Sequence, residues 1–230
     1  MEGLTSAGTS FVSSSTHRWI YDLQACQTEG SAKRGVGRYS QALFDAMRKR
    51  NAAVDICAAT SDALPHGPDL SGLRRDRRIR IGPMPQALGQ RKHLGGPQDD
   101  LDAILLSHRL APWKADLVHV SHVFEGFNER VALPSPAYRS AGQVLSATLY
   151  DLIPLRFPEA YFQSPEFERW YHARLDWLRK ADLLLAISES SRRDAIDLLG
   201  IDPDRIVTVY GGIGQHFTPP CDRQQVKAEL

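Results

Sequence analysis

Apolar residues in this chain gather into short runs, and between the runs they recur at helical spacing. The runs Trp19–Leu23, Ala53–Ala58, Leu117–Val120, Val144–Leu149, Leu183–Ile187 and Ile206–Tyr210 read as strands, with Ile79–Ile81 as one more short piece. Gly35-Val36-Gly37-Arg38 opens a helix to about Lys49 that sets Tyr39, Leu43, Phe44 and Met47 on one face. A second helix starts at Asp99-Asp100 and ends near Leu110. A third, Glu166–Lys180, carries Trp170, Tyr171, Leu175, Trp177 and Leu178, most of them toward the core. A fourth follows Ser188 and closes on Gly200 as its C-cap. The stretches Gln24–Arg34, Leu64–Pro97 and Val123–Gly142 read as loops. Strands alternating with helices predict βαβ units, hence an α/β class: a Rossmann-like open parallel sheet with helices on both faces.

In such a sheet ligands bind outside the carboxyl ends of the strands. The segment from Val144 to Gly214 therefore matters most, because successive strands there end on polar groups: Tyr150-Asp151, Ser188-Glu189-Ser190-Ser191 and Gly211-Gly212.

Composition narrows the classes. The chain has 230 residues and a net charge of +1, which gives no global bias toward nucleic acid. Its cysteines, Cys26, Cys57 and Cys221, are far apart and show no metal or redox spacing, so a reducing cytosol is expected. No apolar run spans a membrane. Residues 1–16 are rich in Ser, Thr and Gly and are expected to be disordered or linker. The folded domain is expected over 17–217. Thr218-Pro219-Pro220 breaks it, and Asp222 reads as the N-cap of a helix opening at 218–230, the start of an interdomain linker.

Each candidate has a plain alternative. Gly35 and Gly37, flanked by Arg34 and Arg38, suit a phosphate at a helix N-terminus, yet they lack the third glycine of a dinucleotide fingerprint and serve equally as a turn. Asp151 suits sugar hydroxyls or caps the turn before Pro154. Ser188 and Glu189 suit a cleft or an N-cap and a helix dipole. His119 and His122, three apart around a strand end, point to opposite faces and do not form a metal pair; His122 suits a ligand or a structural contact. Asp100-x-Asp102 and Asp202-x-Asp204 read as a helix start and a turn. The basic run Arg74, Arg75, Arg77, Arg78, Arg80 reads as a solvated loop, with a foot on anionic lipid headgroups as the alternative. No hydrolase nucleophile motif is present.

Taken together, five motifs resemble glycosyltransferase family 4, the retaining group with the GT-B fold. They are Asp22-Leu23-Gln24 with Arg34-Gly35-Val36-Gly37-Arg38-Tyr39, Val118-His119-Val120-Ser121 with Phe124-Glu125-Gly126-Phe127, Thr148 to Pro154, Ala186 to Ser191, and Val209 to Ile213. The resemblance covers Trp19 to about Leu230 and matches the N-terminal, acceptor-side half of such enzymes, with bacterial O-antigen, lipopolysaccharide and exopolysaccharide mannosyltransferases as the nearest flavour. It implies a sugar transfer, with mannose as the expected sugar, from a nucleotide-sugar donor to a glycan or polyprenyl-linked acceptor. It implies Gly35, Gly37 and Arg38 at the donor diphosphate, Asp151 and Tyr150 at the reacting sugars, and His122, Glu125, Gly126, Ser188, Glu189 and Gly211 along the cleft. Tyr150 replaces the His common in the family and is a poor proton shuttle near neutral pH. No cofactor or metal is expected, nor nucleic acid as partner. The donor-binding C-terminal domain is expected to lie beyond this chain, leaving the chain alone inactive. The cytoplasm, or the inner membrane face, is the expected place. The rivals are a non-catalytic acceptor- or partner-binding module and a nicotinamide-dependent oxidoreductase.

Overall fold

A computed structural model describes residues 17–50, 53–82 and 97–213. The readings placed on 1–16, on Cys221 and on 218–230 lie outside the described residues. Seven strands form one sheet: β1 (His17–Asp22), β2 (Val54–Ser61), β3 (Arg78–Ile81), β4 (Leu117–Val120), β5 (Val144–Leu149), β6 (Leu183–Ala186) and β7 (Ile206–Thr208). Their order is β3-β2-β1-β4-β5-β6-β7 and every neighbouring pair is parallel. The helices among the described residues are α1 (Gly35–Arg50), α2 (Pro97–Leu110), the one-turn α3 (Ile153–Arg156) and α4 (Pro158–Tyr161), α5 (Pro165–Lys180) and α6 (Glu189–Leu199).

Side-chain alternation along the strands builds a core on each face. Ile20, Cys57, Val118, Leu145, Ala147 and Leu184 point to one face, where Leu106 and Leu110 of α2, Leu175 and Leu178 of α5 and Ala195 of α6 cover them. Tyr21, Ile56 and Ala58 point to the other, against Phe44 of α1. Local chemistry sets the helix ends. Ser164 Oγ accepts from the Phe167 N–H at 3.2 Å with Pro165 at the first helical position of α5. Gly200 ends α6 in the left-handed conformation.

On the α1 side, β4 and β5 carry polar residues where the pattern would ask for apolar ones. His119 is fully buried there, its Nδ1 2.9 Å from Ser146 Oγ and its Nε2 3.0 Å from Thr148 Oγ1, with the Tyr21 ring 4.7 Å away. It is a satisfied core residue. The two Asp-x-Asp motifs are structural as well. Asp102 is buried against Arg130 at 2.8 Å, and Asp202 Oδ1 accepts the Asp204 N–H at 3.0 Å in a turn. The basic run spends its charge locally: Arg74 on Asp76, Arg77 on Asp55, Arg80 on Asp62, and Arg78 on the carbonyls of Leu70 and Leu73. Arg78 and Arg80 stand on β3 and not in the loop expected from sequence, but the pairing favours the solvated reading over a lipid foot. Among the described residues no helix is long and apolar enough to cross a membrane.

Strands β2 and β3 lie on one side of β1, and β4 to β7 on the other. The winding of the chain therefore reverses between β1 and β4, the place in an open α/β sheet where ligands bind.

Candidate active site

Two loops meet over the β1/β4 junction. One leaves β1 as residues 23–34 and leads into α1; the other leaves β4 at Ser121-His122. Gln24 Nε2 donates to the Ala132 carbonyl at 2.8 Å. The main tie is Glu125, only 5% exposed. Its carboxylate accepts from Thr28 Oγ1 at 2.8 Å and from Ser31 Oγ, and stands 2.9 Å from His122 Nδ1. Arg174 of α5 holds the same loop from behind, donating to the Glu125 and Val131 carbonyls at 3.3 Å each. Glu125 is thus a buried anchor and not a cleft-lining group. Gly126 beside it has φ 93°, and a Cβ there would stand 2.7 Å from Val131 Cβ, so glycine is needed by the loop itself.

Gly37 sits on α1 against the 23–34 loop. A Cβ would lie 2.5 Å from the Ser31 carbonyl oxygen and 2.6 Å from that of Ala32, so chain packing accounts for this glycine without a ligand. Gly35 differs: a Cβ there meets nothing within 4 Å, and the residue is exposed at the first turn of α1. Lys33, Arg34 and Arg38 stand around it, exposed and without side-chain partners among the described residues.

Tyr150, at the end of β5, joins the elements. Its hydroxyl is 2.9 Å from Ser40 Oγ and donates to the Val36 carbonyl at 3.1 Å. Its ring meets His122 edge-on at 4.8 Å and Tyr39 at 5.5 Å. Burial holds the Tyr150 phenol well above its ordinary value. The placement corrects the expectation of a reacting role: the hydroxyl faces α1, and the residue is a wall of the cleft. Asp151, next in sequence, is exposed, and its Oδ1 accepts the Ile153 N–H at 3.1 Å. It caps the turn as its plain alternative said.

At β6, Ser188 is the N-cap of α6, accepting the Ser191 N–H at 3.1 Å, while Ser191 Oγ donates to the Tyr150 carbonyl at 2.5 Å. That second bond fastens the helix start to β5. Glu189 accepts from Thr208 Oγ1 at 2.8 Å and pairs with Arg192; the Thr208 bond leads in holding its carboxyl below the usual range. Gly211 lies beside the Tyr39 ring, whose hydroxyl donates to the Val209 carbonyl at 3.0 Å. The carboxyl ends of β1, β4, β5, β6 and β7 thereby share one bonded edge, with His122, Asp151 and Ser188 on it.

Sequence reading missed Thr28, Ser31, Ser40 and Tyr39 as parts of this edge. Tyr39 counted there as a helix-face residue, and the hydroxyls carry no motif. Asp22 is also buried here, and desolvation pushes its carboxyl up to about 7, opposed by the Gln24 N–H and reinforced by Glu125. Among the described residues no group of three or more His, Cys, Asp or Glu side chains could hold a metal ion. An acid follows β2: the strand runs on to Ser61 and Asp62 comes next. Asp62 is held by Arg80 at 2.8 Å, and residues 23–34 separate β1 from α1 where a dinucleotide site has a tight glycine turn.

The serotype-specific mannosyltransferase WbdA of Escherichia coli is 30% identical over 102 residues, covering 44% of this chain and 12% of that protein. The apo structure of the lipopolysaccharide outer core galactosyltransferase WaaB superposes with a TM-score of 0.50 at 13% identity, over 86% of this chain and 46% of that one. The chain thus spans less than half of these relatives. The family model described as Glycosyltransferase Family 4 matches residues 33–215, a range that holds α1 with Gly35 and Arg38, the Glu125 anchor, Asp151 and Ser188. The chain belongs to glycosyltransferase family 4.

Proposed function

We propose that this chain is the acceptor-side half of a retaining glycosyltransferase. It would move a sugar, mannose in the first instance, from a nucleotide sugar to a glycan or polyprenyl-linked acceptor of a cell-surface polysaccharide. The family match over residues 33–215 carries the reading. The mannosyltransferase WbdA supports the choice of sugar. A donor-binding domain would close over the carboxyl edge of the sheet and supply most of the nucleotide contacts.

The residues divide the work by their surroundings. The first turn of α1 is exposed at Gly35, with Arg34 and Arg38 beside it, while the Gly37 N–H is already given to the Ser31 carbonyl at 3.1 Å. That arrangement suits a leaving diphosphate whose charge grows as the glycosidic bond breaks, and it needs no bound cation. His122 Nδ1 stands 2.9 Å from the Glu125 carboxylate, and with its proton on Nδ1 the neutral ring would offer Nε2 as an acceptor for a substrate hydroxyl. The exposed Asp151 carboxylate would accept hydrogen bonds from sugar hydroxyls. Ser188 and Glu189 support α6 and frame the far side. Tyr150 keeps water out and holds His122 in place.

The test is sugar transfer by the full-length protein from GDP-mannose to a mannoside acceptor, with UDP-glucose as the competing donor. His122→Ala and Asp151→Ala are expected to lower transfer at least about 100-fold, whereas Tyr150→Phe stays within about tenfold of the parent, because its hydroxyl bonds only to α1. Full activity in both alanine variants, or no transfer from either donor, overturns the proposal.

A further inference from the structure

Beyond β7 the chain leaves the sheet along residues 209–213, and one side chain of α1 holds that segment. The Val209 N–H donates to the Ala186 carbonyl at 2.8 Å, which carries the β6 contact past Thr208. The Val209 carbonyl accepts from the Tyr39 hydroxyl at 3.0 Å, a bond between residues 170 positions apart. After Val209 the segment is exposed, Tyr210 to 69% and Ile213 to 84%. We infer that Tyr39 is a positioning residue for the proposed transfer: it pins the departing chain to α1 and so sets how the donor-binding part of the longer protein stands over Gly35 and His122. The inference rests on the proposed sugar-transfer function.

The pin and the proposed substrate groups share one set of contacts. Tyr39 stands about one turn beyond Gly35, on the same face of α1. Its ring meets Tyr150 edge-on at 5.5 Å, and Tyr150 meets His122 edge-on at 4.8 Å. The Tyr150 hydroxyl is bonded to the same two turns of α1, at Ser40 Oγ and the Val36 carbonyl. Packed rings pass a displacement on, so the departing segment, α1 and His122 keep a common register through Tyr39. The sheet itself has little use for this bond. Strand β7 is already held by pairing with β6, by Arg192 on the Ile206 carbonyl at 3.2 Å and by Thr208 on Glu189 at 2.8 Å, all before Val209. The next residues agree. A Cβ at Gly212 meets nothing within 4 Å, one at Gly211 would make only ordinary contact with the Tyr39 ring at 3.6 Å, and neither glycine has a positive φ. Unlike Gly37 and Gly126, these two are not required by the packing around them; directly after a pinned residue they leave the chain free to reorient. One neutral hydrogen bond shifts an equilibrium by about two- to tenfold, enough to bias that reorientation without locking it.

The test compares the full-length protein with its Tyr39→Phe variant, which keeps the ring against Tyr150 and Gly211 and removes only the hydroxyl. Two readouts are taken: small-angle X-ray scattering, and kinetics with GDP-mannose and a mannoside acceptor. In the variant the pair-distance distribution is expected to broaden to longer distances, and KM for the donor to rise about threefold or more while KM for the acceptor stays within about twofold. Unchanged scattering overturns the inference whatever the kinetics. A fall in kcat with both KM values unchanged overturns it too, because a bond that only supports the fold lowers the amount of active protein and not the donor's fit. Transfer by the parent, with a variant identical to it in both readouts, removes the pin and leaves the proposed function standing. A scattering shift in a protein that transfers nothing from either donor keeps the pin and removes the function.

Discussion

Two glycines two positions apart do different work. The neighbourhood of Gly37 is filled by the backbone of Ser31 and Ala32, rigid atoms that cannot swing aside. Gly37→Ala must therefore push the 23–34 loop off α1, and overpacking of this kind costs about 1–3 kcal/mol. Gly35→Ala meets open space at a helix start, and is expected to leave stability unchanged or raise it by up to about 1 kcal/mol through the lower chain entropy of alanine. Urea unfolding of the two variants reads the contrast directly; equal destabilisation would mean the loop does not pack on α1 as described. If Gly35 also meets a diphosphate, Gly35→Ala is the variant that loses transfer without losing stability. The pair reads as a single Gly-x-Gly motif in sequence, and only the position of a chain segment several residues upstream separates the roles.

The same separation governs the elements. The loop after β4 and the loop after β1 are joined chiefly by one buried carboxylate, Glu125, and its hydroxyl partners Thr28 and Ser31 lie 97 and 94 residues upstream. Removing it in Glu125→Ala leaves these groups and His122 without their acceptor in a buried setting. The expected cost is about 2–4 kcal/mol. Hydrogen exchange should speed up first at the amides of residues 24–34, with the strands β5 to β7 protected as before. Glu125→Gln, which keeps an acceptor oxygen, should lose less. Uniform acceleration across the sheet would show that Glu125 is part of the general core and not a clasp between loops. This explains what was legible in the sequence. Strands buried on both faces write themselves as apolar runs, and Ser188 and Gly200 mark the ends of α6 by local chemistry, so the sheet and its helices could be read. Glu125 looks in sequence like a polar loop residue beside a glycine, and Tyr150 like a polar group at a strand end. Their burial depends on what α1 and α5 bring to them from far away in the chain.

Across the whole molecule, two buried ionisable groups in the middle of the sheet pull stability in opposite directions with pH. His119 is pushed from 6.5 down to about 3 by burial between β4 and β5, so the fold favours its neutral form. Its contribution is complete above pH 6.5 and is lost as pH falls from there toward 3. Asp22 is pushed from 3.8 up to about 7, chiefly by burial at the end of β1, so the fold favours its protonated form. Its contribution is complete below pH 3.8 and is lost as pH rises through 7. Each alone gives a slope of about 1.4 kcal/mol per pH unit inside its window. Between the two ordinary values, 3.8 and 6.5, both windows overlap and the slopes cancel. Stability across that interval should therefore be flat with respect to this pair, and single substitutions should expose each half. Asp22→Asn leaves the histidine alone, and unfolding midpoints in urea should rise with pH across the interval. His119→Gln, which can still bond Ser146 and Thr148, leaves the aspartate alone, and the midpoints should fall over the same interval. The double variant should be flat again. Profiles in which both single variants parallel the parent would show that neither group titrates between folded and unfolded chain, and the buried polar centre of this sheet would then have to be more open to water than its packing against Tyr21 and α1 allows.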